Sequence, residues 1–283
     1  MVAGACFSLR HAALATRVND AATATPPISA YIRTKNEERL IGQVIRAAQQ
    51  AAREVVLVDS GSTDKTIEIA EELGARVVRA PWLGGGRQKR IGEDACTYDW
   101  LLDLDGDEII TPELAAEISA LFAKGEPAAP IYELMMATVP PVGEPWRTFN
   151  LVDRRKLYDR RVVRAPDHPN YDQFKAPAGV RVGRLRQPLL HYSFRDLSQL
   201  EDKFNRNSAG RARDTKLKPL WLVQLRLLFG KPFYFLNQYA RRGLWRAGWY
   251  GFAVANIAAH GRWLRDAMML EIHLREREAR KNE

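Results

Sequence analysis

From Ile28 onward the apolar and polar positions fall into a regular pattern. ISAYIRT (28–34) reads as a strand. In NEERLIGQVIRAAQQ (36–50), Leu40, Ile41, Val44, Ile45 and Ala48 share one helical face. EVVLVD (54–59) is a short Val-rich run closed by Ser60 and Gly61, the pattern of a strand buried on both faces. STDKTIEIAEEL (62–73) predicts a helix with hydroxyl and Asp caps at its start and Gly74 just past its end. ARVVRA (75–80) gives a third strand. A Gly-rich turn and a helix over 87–95 follow, and DWLLDL (99–104) is a fourth strand. TPELAAEISALF (111–122) opens a helix with Thr111 as cap and Pro112 at the first helical position. This alternation predicts an α/β fold, a mostly parallel sheet with helices on both faces.

Charge divides the chain unevenly. The 283 residues carry a formal net charge of +9. Residues 181–283 hold 21 basic and 9 acidic side chains, whereas residues 1–180 hold 22 and 25. The basic character therefore belongs to the C-terminal third, which fits an anionic partner there or a solvated basic face. Cys6 and Cys96 are too few for a disulfide framework or a zinc site and suit a reducing compartment. Residues 1–27, rich in Ala and Thr, read as a flexible extension rather than a secretory signal. No run of 18 apolar residues occurs, so no spanning helix is expected.

Against this basic background, DLDGDE (103–108) packs four carboxylates into six positions. Carboxylates so close repel one another, and a divalent metal is the expected compensation. In open parallel sheets ligands bind outside the carboxyl ends of the strands. Thr34 and Lys35 end the first strand, Asp59 ends the second, and Asp105 and Asp107 follow the fourth, so all should meet at one edge. An EF-hand is rejected, because Glu108 and Leu114 stand where that loop needs Gly and Glu. A dinucleotide fingerprint is rejected too: RTKNEE follows the first strand without a glycine, and GGG (84–86) lacks the spacing. There is no G-x-x-x-x-G-K-[ST] phosphate loop either.

YIRTKNEERLIGQVI, VVLVDSGSTDKTIEIAEELGARV, PWLGGGRQKR and DWLLDLDGDEIITPEL together resemble the family 2 glycosyltransferases. The nearer likeness is to the bacterial lipopolysaccharide core β-glucosyltransferase branch, and it continues through GRLRQPLLHYSFRDLSQLEDKFNRNSAGRA. The resemblance implies a GT-A, Rossmann-like catalytic domain over 28–195 and an inverting transfer from a nucleotide-sugar, with UDP favoured. By the same resemblance Thr34 and Glu37 lie beside the nucleotide, and Asp59 binds the base. Asp105 faces the ribose and metal, while Asp107 ligates a Mg or Mn ion. Lys89, with Arg87 nearby, adds positive charge at the diphosphate, unless both are a solvated helix start. His191 is a third ligand or diphosphate contact, or else a structural histidine. Relatives tend to carry a His-Glu pair where this chain reads APDHPNYDQFKAPAGVRVGRL. Asp172 is the candidate general base there, with His168 and Asp167 earlier, though the segment also reads as an acceptor-side loop.

Residues 196–283 read as a helical, basic, aromatic-rich region in which Trp221, Trp245, Trp249 and Trp263 are four of the seven tryptophans. Its apolar runs break at Gly230, Lys231, Arg241 and Arg242. Such a mixture suits an anionic membrane surface, and equally helices that close a core or an oligomer interface. The expectation is peripheral attachment to the cytoplasmic face of the inner membrane, beside a lipopolysaccharide core or other glycolipid acceptor, with no nucleic-acid partner. A polyisoprenyl-phosphate glycosyltransferase would favour spanning helices. A non-enzymatic basic membrane- or nucleic-acid-binding protein would leave Asp59 and the acidic turn unexplained.

Overall fold

The computed structural model describes residues 25–281 apart from 148, 150–152, 170 and 215. Most of the expected N-terminal extension, residues 1–24, lies outside the described residues. Four strands fall where the hydropathy put them: β1 (Ile28–Thr34), β2 (Glu54–Asp59), β3 (Arg76–Arg79) and β4 (Trp100–Asp105). They pair in parallel, in the order β3-β2-β1-β4. Helices α1 (Ile41–Ala51), α2 (Thr66–Glu72) and α3 (Gly85–Ala95) connect them, and α4 (Pro112–Phe122) follows a short β5 (Glu108–Ile110).

The apolar face of α1 packs with Ala70 of α2 and with Leu114, Ala115 and Ile118 of α4 against one side of the sheet. Ile91 and Ala95 of α3 cover the other side, against Tyr31, Val56, Val58 and Tyr158. The central strands are therefore buried on both faces, which is why their sequences run apolar without alternation.

Two details depart from expectation. Helix α1 starts at Ile41 rather than near residue 36, because the preceding backbone is bonded elsewhere. Asn36, Glu37 and Glu38 donate their N–H groups to Ser62 Oγ (2.9 Å), Thr66 Oγ1 (2.8 Å) and Asp64 Oδ2 (3.1 Å). The hydroxyl and Asp caps expected for α2 thus mainly fasten the loop that carries Glu37. Thr111 does cap α4, accepting from the Leu114 N–H at 3.1 Å, with Pro112 at the helix start.

The sheet is also larger and less parallel than the alternation implied. Among the described residues it has eight strands, extended by β7 (Arg154–Asp159), β6 (Ile131–Thr138) and β8 (Val182–His191), with β5 at its far edge. Strand β7 runs antiparallel to β4 and β6, β8 parallel to β6, and β5 antiparallel to β8.

Three helices follow: α5 (Leu197–Asp214), α6 (Leu220–Leu236) and the long α7 (Gly248–Ala279). A π-helical turn at Asn237–Arg241 lies between α6 and α7. Phe149 and Phe194 pack with Leu200 of α5 and with Val254 and Ala255 of α7, tying this layer to the sheet. Buried Asp266 of α7 accepts from Arg226 (3.0 Å) and Tyr234 (2.9 Å) of α6. Among the described residues, no helix is long and apolar enough to cross a membrane.

Candidate active site

Register brings the first site residues together. Thr34 of β1 stands opposite Asp59 of β2, and Arg33 opposite Asp105 of β4. The carboxyl ends of the parallel strands meet at one edge, as the topology requires. Asp59 is buried, and its carboxylate accepts from the N–H groups of Gly61 (2.8 Å) and Ser62 (3.0 Å) and from the Ser62 hydroxyl. Thr34 is also buried, with its hydroxyl unpartnered. Glu37 lies close enough to Asp107 to feel its charge: burial first, then that neighbour, pushes the Glu37 carboxyl up.

The acidic turn is compensated differently from the sequence argument. Buried Lys156 of β7 puts its ammonium 2.6 Å from Glu108 and within 4.0 Å of Asp103 and 3.9 Å of Asp105. Lys89 of α3 is buried rather than a solvated helix start, 2.6 Å from Asp103 and 3.5 Å from Asp172. Arg33 bonds Asp105 at 2.5 Å and lies 3.5 Å from Asp172. Burial opposes ionisation of Asp103, yet Lys156, Lys89 and Arg33 hold its carboxyl below the usual range. Burial likewise opposes the charge of Lys156, but Asp103, Glu108 and Asp105 hold it above its ordinary value. Three side chains thus do the compensating that the sequence reading gave to one ion.

Asp107 stands outside that network. Its carboxylate faces His191 Nε2 at 3.3 Å, across the β5–β8 pair in which Glu108 is opposite His191. Burial disfavours the charged imidazole, but the hydrogen bond to Asp107, then its charge and that of Glu108, outweigh it and hold His191 above its usual value. An oxygen and an imidazole nitrogen so close together suit a divalent cation. Among the described residues, no group of three or more His, Cys, Asp or Glu could hold an ion. Mg or Mn would fit here only with further oxygens from a substrate, such as a diphosphate.

Asp172 is delivered by the GGG segment. Gly85 and Gly86 donate their N–H groups to the carbonyls of Pro169 (2.8 Å) and His168 (3.1 Å). A side chain at Gly84, where φ is +103°, or at Gly86 would collide with the backbone of this loop at 2.3 Å. The loop is also pinned by buried Glu93, which accepts from the Ala165 N–H at 2.6 Å and from Arg164 at 2.8 Å. Asp167 pairs with exposed Arg87 at 3.0 Å, and His168 Nδ1 accepts from the Tyr171 N–H at 3.1 Å. Asp172 is the carboxylate of this loop that reaches a cavity of about 410 Å³, which Lys89, Asp105, Glu108, Lys156 and His191 also line. Thr34, Glu37 and Asp59 do not line it; they lie together at the neighbouring strand ends.

The model of glycosyl transferase family 2 matches residues 29–184. The chain belongs to this family. As a family 2 glycosyltransferase it is an enzyme, which removes the purely non-enzymatic reading, and its sheet with helices on both faces is the GT-A architecture expected. A glycosyltransferase of Rickettsia felis, itself uncharacterized, is 32% identical over 88% of this chain and 92% of the relative. LpsC of Rhizobium meliloti, a lipopolysaccharide core biosynthesis glycosyltransferase, is 31% identical over 87% of this chain and 93% of its own length. Among solved structures, glucosyl-3-phosphoglycerate synthase from Mycobacterium tuberculosis with Mn2+, UDP and phosphoglyceric acid is 20% identical. It has a TM-score of 0.47 over 66% of this chain and 78% of that chain.

Sequence reasoning missed Arg33 and Lys156 and gave Asp103 and Glu108 no separate role. A signal existed for Arg33, a charged residue inside an otherwise apolar strand. Lys156 gave none, because RRKLYD is charged throughout its first half.

Proposed function

We propose that this glycosyltransferase performs an inverting, metal-assisted transfer of a hexose from a nucleotide-sugar, UDP-linked by preference, to a lipopolysaccharide core or similar glycolipid. The observation that carries this reading is the Asp107–His191 pair beside a cavity that also receives the Asp172 carboxylate. Thr34, Glu37 and Asp59 form the nucleotide side, with Asp59 toward the base and Asp105 toward the ribose. Asp107 and His191 would hold Mg or Mn, which when bound would supply positive charge at the diphosphate. Asp172 takes the proton of the acceptor hydroxyl, the role an inverting transfer requires. Lys89 and Arg33, both 3.5 Å away, fix its position; on this reading Lys89 works through Asp172 rather than at the diphosphate. The match along nearly the whole length of LpsC supports the acceptor class.

The membrane side of the reading rests on α6 and the turn after it. Trp221, Leu225, Leu228, Phe229, Phe233 and Leu236 recur at helical spacing and are all exposed, Leu228 to 74%. Trp245, Trp249 (86% exposed) and Phe252 are exposed after them. Exposed Lys216, Lys231, Arg241 and Arg246 accompany these residues, and no Asp or Glu occurs between residues 215 and 265. An apolar stripe rimmed by cations and free of acids fits an anionic bilayer surface, with the enzyme peripheral on the cytoplasmic face of the inner membrane.

The deciding experiment incubates the protein with UDP-, ADP- and GDP-sugars and Mn2+ or Mg2+ and measures released nucleotide, with and without chelator. Metal-dependent release from one donor is the expected result. Release indifferent to chelator would refute the metal-assisted reading.

A further inference from the structure

Among the buried polar side chains of the helical layer, Gln238 stands apart. Ser208 of α5 donates to the Gly261 carbonyl at 2.6 Å, and Asp266 of α7 accepts from Arg226 and Tyr234. Gln238 lies one helical turn beyond Tyr234 and is only 4% exposed, yet its Oε1 has no hydrogen-bond partner among the described residues. The residue lines the cavity that receives Asp172. A buried acceptor without a donor costs free energy, and a donor on a ligand in the cavity would remove that cost.

Gln238 is held in place from both sides. It belongs to the π turn Asn237–Arg241, where the Arg242 N–H donates to the Asn237 carbonyl at 3.1 Å. Turns of this kind are frequent at functional positions. The Arg242 side chain donates to the Phe149 carbonyl at 2.7 Å, which ties the turn to Phe149. Phe149 and Phe204 of α5 line the same cavity, together with Met136 and Leu200. Phe204 rests on bare backbone of α7, since a Cβ at Gly261 would come within 2.8 Å of it. The amide and the two aromatic rings are thus fixed around one space by contacts of their own.

The direction of the missing hydrogen bond selects the ligand. The unpartnered oxygen needs a donor, which an ionised phosphate or carboxylate lacks and a hydroxyl has. Because a hydroxyl both donates and accepts, it matches either end of the amide. The apolar walls suit C–H surface. A pyranose combines the two, with hydroxyls at its rim and C–H bonds on its faces.

We propose that Gln238 seats a pyranose of the acceptor, its side-chain amide bonding a ring hydroxyl while Phe149 and Phe204 cover a C–H face. The assignment rests on the transferase reading above, in which Asp172 of the same cavity deprotonates the acceptor. The role of Gln238 is to choose and orient the acceptor, not to move a proton.

The test is saturation-transfer NMR on the full chain with the methyl glycosides of glucose, galactose, mannose and N-acetylglucosamine. Glycerol serves as a probe with hydroxyls but no ring. At least one glycoside should take up saturation, strongest on its ring C–H protons, and glycerol should not. Gln238→Leu removes the amide and keeps most of the bulk. It should weaken binding of that glycoside about tenfold or more, because the ligand hydroxyl is then left unpaired. Its melting temperature should equal or exceed that of wild type, since the unpartnered oxygen is gone, whereas loss of a merely structural glutamine would lower it. No glycoside above the level of glycerol would overturn the proposal in the wild-type protein, without recourse to any variant. Undiminished binding by Gln238→Leu, or a clear fall in its melting temperature, would overturn it too. Metal-dependent nucleotide release from the same preparation judges the donor reading separately. Glycoside binding without release would refute the transferase reading and leave the seat standing, and release without glycoside binding would do the reverse.

Discussion

At the sheet end of the cavity Arg33, Lys89 and Lys156 meet Asp103, Asp105, Glu108 and Asp172, every pair that forms lying within 4.0 Å. At the helical end Arg154, Lys203, Arg242, Arg262 and Arg265 line the same space, with no carboxylate among the described residues lining it there. Paired charges in the first region build and orient the site. Asp107, beside His191, is the acid of the DLDGDE turn which the pairs leave available to a ligand. The residual charge of a region is therefore more informative than its total. DLDGDE drew attention by its four acids, yet only Asp107 escapes the internal cations.

The sharpest way to break this comparison is Asp107→Ala. It should lower metal-dependent nucleotide release by about a hundredfold or more, while the melting temperature changes little, because the side chain sits outside the Lys156 network. A comparable loss of fold would place Asp107 among the structural charges instead. Lys156→Met tests the opposite region. Asp103 and Glu108 would be left buried with less compensation, and urea unfolding should show a loss of about 3–5 kcal/mol. A neutral outcome would mean that these carboxylates take up protons at little cost.

A smaller effect is expected at the surface of α6. Replacing Phe229 and Phe233 with Ser should weaken co-sedimentation with vesicles containing phosphatidylglycerol by about tenfold or more, since each ring contributes about 1.5–3 kcal/mol when fully buried. Binding unchanged by these substitutions would remove the stripe from the membrane reading.

The smallest effect concerns His191 in the metal-free protein. Its imidazole is held above the usual 6.5 in the folded state, so the contact with Asp107 stabilises fully below about pH 6.5. That contribution fades as pH rises through the higher folded value. Melting temperatures of wild type and His191→Gln should therefore converge as pH rises, and parallel curves would deny the pairing. Metal binding needs the neutral ring, so Mn2+ affinity should strengthen over the same interval.

Legibility from sequence followed the same division. β1 to β4 were readable because strands buried on both faces must be apolar throughout. Thr34, Asp59, Asp105 and Asp107 were placed at one edge because parallel topology puts strand ends together. β7 and β8 were not readable: RRKLYD buries a lysine among charges, and VGRLRQPLLH is interrupted by arginines and Pro188. Burial of Lys156 depends on carboxylates some 50 residues earlier in the chain, which no local pattern encodes. The apolar content of α6 was visible, but not which residues face outward, because that depends on how α7 covers the opposite side.

The contact between the three glycines and the loop that carries Asp172 has a genetic consequence. Gly84, Gly85 and Gly86 offer no side chain to any substrate, yet the loop rests on their bare backbone. In a saturation screen for activity, Gly84 and Gly86 should tolerate replacement as poorly as the carboxylates themselves. The exposed tip residue Tyr171, one position from Asp172, should accept many replacements. Tolerance along this stretch would then trace where backbone meets backbone rather than distance from the reacting atoms.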